Sequence, residues 1–542
     1  MVRLDTVPHE ILERIALLTA TETFIGPPST LVTLLTSNRR IHDQLSFASN
    51  HYLYSRIFAY KFDVVDSNSR RFIDHSSSSV LAHELIRRFR TLSRFRSRCG
   101  LGGAKTESSA RETAEVVQEM LFNAYLMMLE NAGKNEEQLR DYAGIGDWLK
   151  DFLFEEQYVA RPRFPSPLEH WPPHNEHTSL AMWLFWFLLR PDEYAVEDDS
   201  TWHILNVLKI YALGAHKYPL TDPSWVSFIP SPPPCPADVI SPENENKQIM
   251  QLKTPPLATP AILSFLTLVN LKARFIDIAS HLDLPMKAES NEWEYEMGRC
   301  LSLSRLDFDK GGLTESFRPG SIEGIWEGIF TYTEFTAYAA LLQGAPPPIL
   351  QKSVIVRHRQ TWKLREYHFV RVGGRMPSPI LINASESQDD DDDRDIYPLS
   401  AGDPLRAYIP PGAHIAETPE GLEVMDPSRP GELRYYRLAG GLVCKEEESE
   451  MGMGRPREVQ DIIIMGEGHS AWGQFNLVGR VRPCDGFISL CKEYVDHDRG
   501  KWIYRGYLVG NINSNLAGRW RDTLSPAAVP GYEGCFLMTR RR

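Results

Sequence analysis

Residues 321–335 read SIEGIWEGIFTYTEF, and at this stretch the sequence changes from helix-like to strand-like. The stretch is rich in β-branched and aromatic residues, and Gly, Pro, Asp and Asn separate it from later stretches of the same kind. The later strand-like stretches are KSVIVRHRQTWKLREYHFVRV (352–372), ELRYYRL (432–438), DIIIMGEG (461–468), WGQFNLVGRVR (472–482), GFISLCKEYV (486–495), KWIYRGYLVG (501–510) and YEGCFLMTR (532–540). About eight strands at short spacing predict an antiparallel β-barrel over residues 313–542, because a closed barrel has no exposed strand edge.

Two of these stretches alternate in a way that predicts which side chains share a face. In residues 487–492 the odd-numbered side chains should lie on one face and the even-numbered ones on the other, because side chains alternate along a strand. Residues 502–509 alternate in the same way, with Trp502 and Tyr504 opposed to Arg505 and Tyr507. Glycines inside the strands fit the tight bends of a small barrel.

The first strand contains Gly324-Ile325-Trp326, and a late strand reads LAGRWRD, residues 516–522. A Gly-x-Trp at the start of a barrel, with an Arg near its end, resembles the closure of lipocalin-like barrels. There the Arg covers the Trp in a cation–π contact. The resemblance implies that Trp326 stacks with Arg519 or Arg521.

The region before the barrel, residues 63–312, is predicted to be a helical scaffold. VLAHELIRRFRTLSRF (80–95) and SLAMWLFWFLLR (179–190) have helical spacing, whereas RPRFPSPLEHWPPH (161–174) and PSWVSFIPSPPPCP (223–236) indicate loops. His170, His174 and His177 lie close together, but prolines break the helical face that a His-x-x-x-His metal site needs. We expect these to be loop histidines, with no metal site.

The first 62 residues predict three short helices with more apolar surface than so small a unit can bury. A stripe of the first helix consists of Val7, Pro8, Ile11, Leu12, Ile15 and Leu18. Leu17 is expected to point the other way. The second helix should begin near Ser29 and the third near Asn50. A second apolar surface on such a unit would be covered by a partner.

The stretches VPHEILERIALL (7–18), LVTLLTSNRRIHDQL (31–45) and HYLYSRIF (51–58) resemble the F-box, with GPPS at 26–29 as in F-box-like proteins of basidiomycete fungi. Val7 stands where the family usually has Leu. The resemblance implies docking on the Skp1-type adaptor of a cullin-RING ubiquitin ligase. By position, the adaptor-binding residues would be Pro8, Ile11, Leu12, Ile15, Leu31, Leu34 and Leu53.

PGSIEGIWEGIF (319–330) also resembles, more loosely, the strand that opens the C-terminal barrel of a group of F-box substrate receptors. The resemblance implies a non-catalytic receptor that holds a target protein near the ubiquitin-conjugating enzyme and so raises its effective concentration. Aromatic and Arg side chains dominate binding hot spots. The candidate target-binding residues are Trp326, Trp472, Trp502, Arg505, Tyr507, Arg519 and Trp520.

Composition narrows the classes of partner. The net charge of −12 disfavours nucleic acid, and the densest apolar run, AMWLFWFLLR (181–190), is too short to span a bilayer. Seven cysteines without a CxxC pair, and no recognisable signal peptide, favour a cytoplasmic or nuclear protein.

The aspartates at 389–393 predict a disordered insertion near 384–396. No catalytic motif is present and no cofactor is expected; GEGHSAWG (466–473) is expected to be a loop between strands.

A second hypothesis remains open: a barrel that binds a small apolar ligand or performs a hydrolytic step, with the N-terminal helices packed on the chain itself. The two hypotheses differ in where Val7, Pro8, Ile11 and Ile15 point. Exposure of these side chains favours docking on a partner, and burial against residues 63–312 favours the self-contained barrel.

Overall fold

The computed structural model describes most of the chain, and the statements below refer to the described residues. These are 7–63, 77–101, 107–155, 172–194, 199–221, 224–228, 239–240, 252–273, 317, 319–371, 398–428, 431–437, 458–483, 485–496, 498–509 and 515–541. The predicted insertion near 384–396 and His170 lie outside them.

The first part of the chain is helical, as predicted. Its helices are α1 (His9–Ala20), α2 (Ser29–Ser37), α3 (Arg39–Leu45), α4 (His51–Lys61), α5 (Ser78–Arg96), α6 (Glu107–Leu129), α7 (Lys134–Glu137), α8 (Ile145–Phe154), α9 (Glu176–Leu188), α10 (Asp199–Leu213) and α11 (Ala258–Ala273). A two-stranded ribbon, β1 (Val239–Ile240) with β2 (Leu252–Lys253), precedes α11.

The N-terminal unit has four helices instead of the three predicted. Asn38 adopts an extended conformation that ends α2, and its side chain accepts a hydrogen bond from Arg40 N at 2.8 Å. Asn38 therefore caps a separate helix, α3, as Asn residues do when their side chains satisfy a free N–H group.

The C-terminal part is a closed antiparallel barrel, which confirms the predicted architecture. The strands are β3 (Gly324–Thr333), β4 (Ile355–Arg371), β5 (His414–Thr418), β6 (Gly421–Met425), β7 (Glu432–Tyr436), β8 (Glu458–Ser470), β9 (Gly473–Arg482), β10 (Phe487–Tyr494), β11 (Lys501–Val509), β12 (Asn515–Asp522) and β13 (Glu533–Arg540). Eight of them follow the order β3-β13-β12-β11-β10-β9-β8-β4, and pairing of β3 with β4 closes the barrel. Strands β5–β7 extend the sheet from the end of β4, and a short helix, α12 (Phe335–Leu342), links β3 to the segment before β4.

The predicted alternation along β10 and β11 is confirmed. Ile488, Leu490, Tyr504 and Leu508 belong to the buried apolar cluster that fills the barrel. The opposite set faces outward, and Phe487 and other members of it join the core of the helical region.

The prediction that Arg519 or Arg521 covers Trp326 is wrong. The cation over Trp326 is Arg540, whose guanidinium carbon lies 5.0 Å from the centroid of the indole ring. Arg540 is paired directly with Trp326 in the register that joins β13 to β3. Arg519 and Arg521 face outward from β12, because they alternate with the inward-facing Trp520.

The helical region packs on the outer face of the barrel and shares one hydrophobic core with it. That core contains Tyr211 of α10 and Leu266 of α11 together with Phe487 and Leu537 of the barrel. Polar contacts reinforce the joint, since Lys209 donates to the carbonyl oxygens of Gln351 at 2.7 Å and Ser353 at 3.0 Å.

Candidate functional site

The N-terminal helices carry an exposed apolar face. Ile11 and Leu18 of α1 are 53% and 55% exposed, and Val32 of α2 is 58% exposed. Pro8 is exposed, and Val7 and Ile15 are half-buried. We call Pro8, Ile11, Ile15, Leu18 and Val32 the exposed apolar face. Of the four side chains that distinguish docking from self-packing, Pro8 and Ile11 are therefore exposed, and Val7 and Ile15 are half-buried.

The other predicted adaptor-binding residues occupy the core of the N-terminal unit. Leu12 is only 2% exposed, and Leu31 and Leu53 are buried with it, whereas Leu34 is half-buried. Leu17, expected to lie opposite the apolar stripe, is buried. Helix α1 thus has two apolar sides, one inside the unit and one outside.

The seven candidate target-binding residues do not form one surface. Trp326 and Trp520 are buried inside the barrel, where Trp520 Nε1 donates to Thr331 O at 3.0 Å. Trp472 and Trp502 are partly buried against the same interior cluster. The remaining three, Arg505, Tyr507 and Arg519, are buried on the outward-facing sides of β11 and β12.

Trp472 belongs to an aromatic group at one end of the barrel. It lies in the two-residue turn between β8 and β9, so the segment GEGHSAWG forms a hairpin. The Trp472 ring centroid is 4.8 Å from that of His358 and 5.5 Å from that of Phe330. Tyr332 stacks on His358 at 5.8 Å. These rings are partly exposed, apart from the buried Phe330.

Beneath this aromatic group, a buried amine faces the barrel interior. Lys492 is 1% exposed, and its Nζ lies 3.8 Å from the Phe475 ring centroid and 4.9 Å from that of Tyr494. Lys492 Nζ donates to Gln360 Oε1 at 3.2 Å, and Tyr504 donates to the same oxygen at 3.4 Å. No carboxylate of the described chain pairs with Lys492.

Burial lowers the pKa of Lys492 to about 7, because the amine loses water and gains no counter-ion. At neutral pH this side chain therefore changes charge readily, as active amines in proteins do. The alternation of β10 predicted its inward orientation. The only sequence signal of the lowered pKa of Lys492 was the presence of a charged residue at an interior position of the strand.

A cavity, the interdomain cleft, lies between the helical region and the outer face of the barrel. It has a volume of about 700 Å³. Its barrel wall contains Arg505, Arg519, Arg521, Phe487 and Glu533, and its helical wall includes His216 and Trp225. The sequence predicted Arg505 and Arg519 as target-binding residues of the barrel, but did not assign them to a joint between domains.

Contacts with Trp225 across the cleft and with residues of the barrel hold Arg505 and Arg521 in place. The guanidinium carbon of Arg505 lies 3.9 Å from the Trp225 ring centroid, and its Nη2 donates to Glu533 Oε2 at 2.9 Å. Arg521 lies 5.2 Å from the same ring and donates to Ser525 O at 3.0 Å. Two guanidinium groups therefore contact the Trp225 ring.

Among the described residues, no group of three or more His, Cys, Asp or Glu side chains is placed to hold a metal ion. His174 is exposed, and His177 Nε2 lies 3.0 Å from Ala114 O. In the same part of the chain, no helix is both long and apolar enough to cross a membrane.

Comparison with protein-family models, curated proteins and solved structures gives no match for this chain.

Proposed function

We propose that this chain is a non-catalytic substrate receptor that docks through its N-terminal helices on the Skp1-type adaptor of a cullin-RING ubiquitin ligase. The observation that carries the proposal is the exposed apolar face. Ile11, Leu18 and Val32 are each more than half exposed. Apolar residues collected on one surface are typical of a protein-binding site.

Two of the adaptor-binding positions implied by the F-box resemblance support the proposal directly. Pro8 and Ile11 belong to the resembling stretch at 7–18 and are exposed, whereas Leu12 and Leu53 hold the unit together. A docking module benefits from both sets, since a surface that the module's own core keeps rigid loses less entropy on binding.

On the target side, four of the candidate residues keep a position from which a ligand is reached. Trp472 and Trp502 are partly exposed around one end of the barrel, and Arg505 and Arg519 line the interdomain cleft. The function would be to hold a target near the ubiquitin-conjugating enzyme, so this chain itself would break no bond.

The test is a binding assay between the full-length chain and a purified Skp1-type adaptor. The double variant Ile11→Asp/Leu18→Asp places two charges on the exposed apolar face. The matched control is Leu524→Asp, because Leu524 is 94% exposed in the turn after β12, outside the N-terminal unit. We expect binding by the wild type and the control and at least a hundredfold loss in the double variant, with unchanged circular dichroism. A wild-type chain that does not bind the adaptor would refute the proposal.

The alternative, a barrel that binds a small apolar ligand or hydrolyses it, is supported by one observation, the buried amine of Lys492. The apolar side chains that pack the barrel interior weigh against it, because a ligand would have to displace them. We therefore place it second.

A further inference from the structure

The interdomain cleft has the size and the composition of a ligand site. Its volume of about 700 Å³ falls in the range of roughly 300–1,000 Å³ that is typical of small-molecule sites. Trp225, Val226 and Leu220 of the helical region and Phe487 of β10 give it apolar walls. A ligand with an apolar body would be accommodated between them.

The charge on the cleft walls is mainly positive. Arg505, Arg519 and Arg521 are all buried, and Glu533 is the buried carboxylate among the described lining residues. The other lining acid, Glu176, is exposed and accepts a hydrogen bond from Gln118. Because buried cations are normally balanced by anions, the cleft favours a negatively charged ligand.

Not all of the positive charge is equally free to act on a ligand. Arg519 donates to carbonyl oxygens at the end of α10, and Arg521 donates to carbonyl oxygens of the turn after β12. Arg505 differs from both, because its hydrogen-bond partner among the described residues is the single oxygen Glu533 Oε2 and its face is covered by Trp225.

Polar atoms without partners converge on the same cleft. Arg505 Nε, His216 Nδ1 and Thr254 Oγ1 are buried and have no hydrogen-bond partner among the described residues, and all three side chains line the cleft. Arg505 itself is 4% exposed. Leaving a buried charged donor unpaired costs free energy, which a bound acceptor group would recover.

We propose that the interdomain cleft binds a carboxylate-bearing ligand with an apolar body, held by Arg505. A planar carboxylate matches the fork of donors on a guanidinium, which an uncharged amide does not. The same chemistry occurs at the C-terminus of a polypeptide and in a small organic acid. The inference does not depend on adaptor docking.

The first measurement compares two matched pairs of probes by isothermal titration against the full-length chain. One pair is the peptide N-acetyl-Ala-Ala-Ala-Phe with a free C-terminus and its C-terminal amide. The other is naphthalene-2-carboxylate and naphthalene-2-carboxamide. We expect each acid that fits to bind at least tenfold more tightly than its amide. Preference confined to the peptide pair assigns a chain terminus, and preference confined to the naphthalene pair assigns a small acid.

Two substitutions with opposite expected effects locate the site. Arg505→Met removes the charge at similar length and should abolish the preference for the acid. Glu533→Gln removes the carboxylate that competes for Arg505 and should tighten acid binding severalfold. The control is Arg499→Met, since Arg499 is exposed in the turn between β10 and β11 and pairs with Asp496 at 3.1 Å.

The opposite signs keep the test decisive even if Arg505→Met unfolds. Equal affinity for acid and amide in both pairs overturns the proposal. So does an acid preference that Glu533→Gln fails to strengthen, or one that Arg499→Met abolishes as fully as Arg505→Met does.

Discussion

Arg519 of the barrel donates from Nη2 to the carbonyl oxygen of Tyr211 in α10 at 2.9 Å. Its Nε donates to Ala212 O at 3.1 Å, and its Nη1 reaches the carbonyl oxygens of Ala215 and Tyr218. The last carbonyls of a helix lack partners within the helix, and a cation is favoured there by the helix dipole. A single barrel side chain therefore caps the helix that covers the barrel.

Arg519→Leu is expected to destabilise the protein by about 3 kcal/mol, because it removes charged hydrogen bonds and leaves buried carbonyls unpaired. Unfolding in guanidinium chloride, followed by tryptophan fluorescence, measures the change in the free energy of unfolding. Arg499→Leu is the control, and its exposed pair with Asp496 should contribute less than about 1 kcal/mol. Equal shifts in the two variants would contradict the capping role of Arg519.

Gly518 lies where two barrel strands approach too closely for a side chain. A Cβ at this position would lie 1.9 Å from Arg505 O, whereas a Cβ at Gly146 in α8 would meet nothing within 4 Å. We expect Gly518→Ala to lower the free energy of unfolding by at least about 3 kcal/mol through strand displacement. Gly146→Ala should instead raise it by up to about 1 kcal/mol, because Ala favours the helix. A denaturant midpoint of Gly518→Ala that is equal to or above that of the wild type would show that the strand spacing at Gly518 is not tight.

Alternation along the strands was readable from sequence because it is a local property. The faces of β10 and β11 followed from period two, and so did the inward position of Lys492. The partner of Trp326 was not readable in the same way. Arg540 meets Trp326 because the last strand pairs with the first in one particular register, which no local pattern specifies.

Helix α1 shows the same limit at the candidate docking site. Its pattern predicted one apolar stripe with Leu17 opposite, but the helix is apolar on two sides, with Leu17 inside and Leu18 outside. Which side faces inward depends on how α2, α3 and α4 pack around α1. The interdomain cleft could not be predicted for a related reason, since Trp225 and Arg505 are far apart in sequence and meet only across domains.

The burial of Lys492 predicts a specific pH dependence of stability. Its pKa is about 7 in the folded protein, against a reference value of 10.5, so between these pH values the unfolded chain binds more protons. The free energy of unfolding should therefore rise with pH across this window, by up to about 1.4 kcal/mol per pH unit from this group. Below pH 7 the destabilisation by the buried cation is fully present.

Lys492→Met keeps the length of the side chain and removes the charge. The stability difference between Lys492→Met and the wild type should be largest below pH 7 and shrink toward pH 10, as urea unfolding at several pH values would measure. Lys501→Met serves as the control, because Lys501 is exposed and pairs with Glu493 at 3.0 Å. A difference that stays constant from pH 6 to pH 10 would show that Lys492 keeps an ordinary pKa.

The two apolar sides of α1 predict opposite consequences for neighbouring substitutions. Leu12→Ala removes a side chain that is 2% exposed and should lower the free energy of unfolding by about 2–5 kcal/mol, because it leaves a cavity. Ile11→Ala changes a side chain that is 53% exposed and should alter stability by less than about 0.5 kcal/mol.

The same two substitutions should affect adaptor binding in the reverse order of their effects on stability. The reason is that Ile11 lies in the proposed interface, whereas Leu12 contributes to binding only by stabilising the fold. At a temperature where both variants remain folded, Ile11→Ala should weaken binding more than Leu12→Ala. Thermal unfolding and adaptor titration on the same samples measure both quantities. If Leu12→Ala weakened binding more while circular dichroism stayed unchanged, the adaptor would contact the inner side of α1, and the exposed apolar face would need another partner.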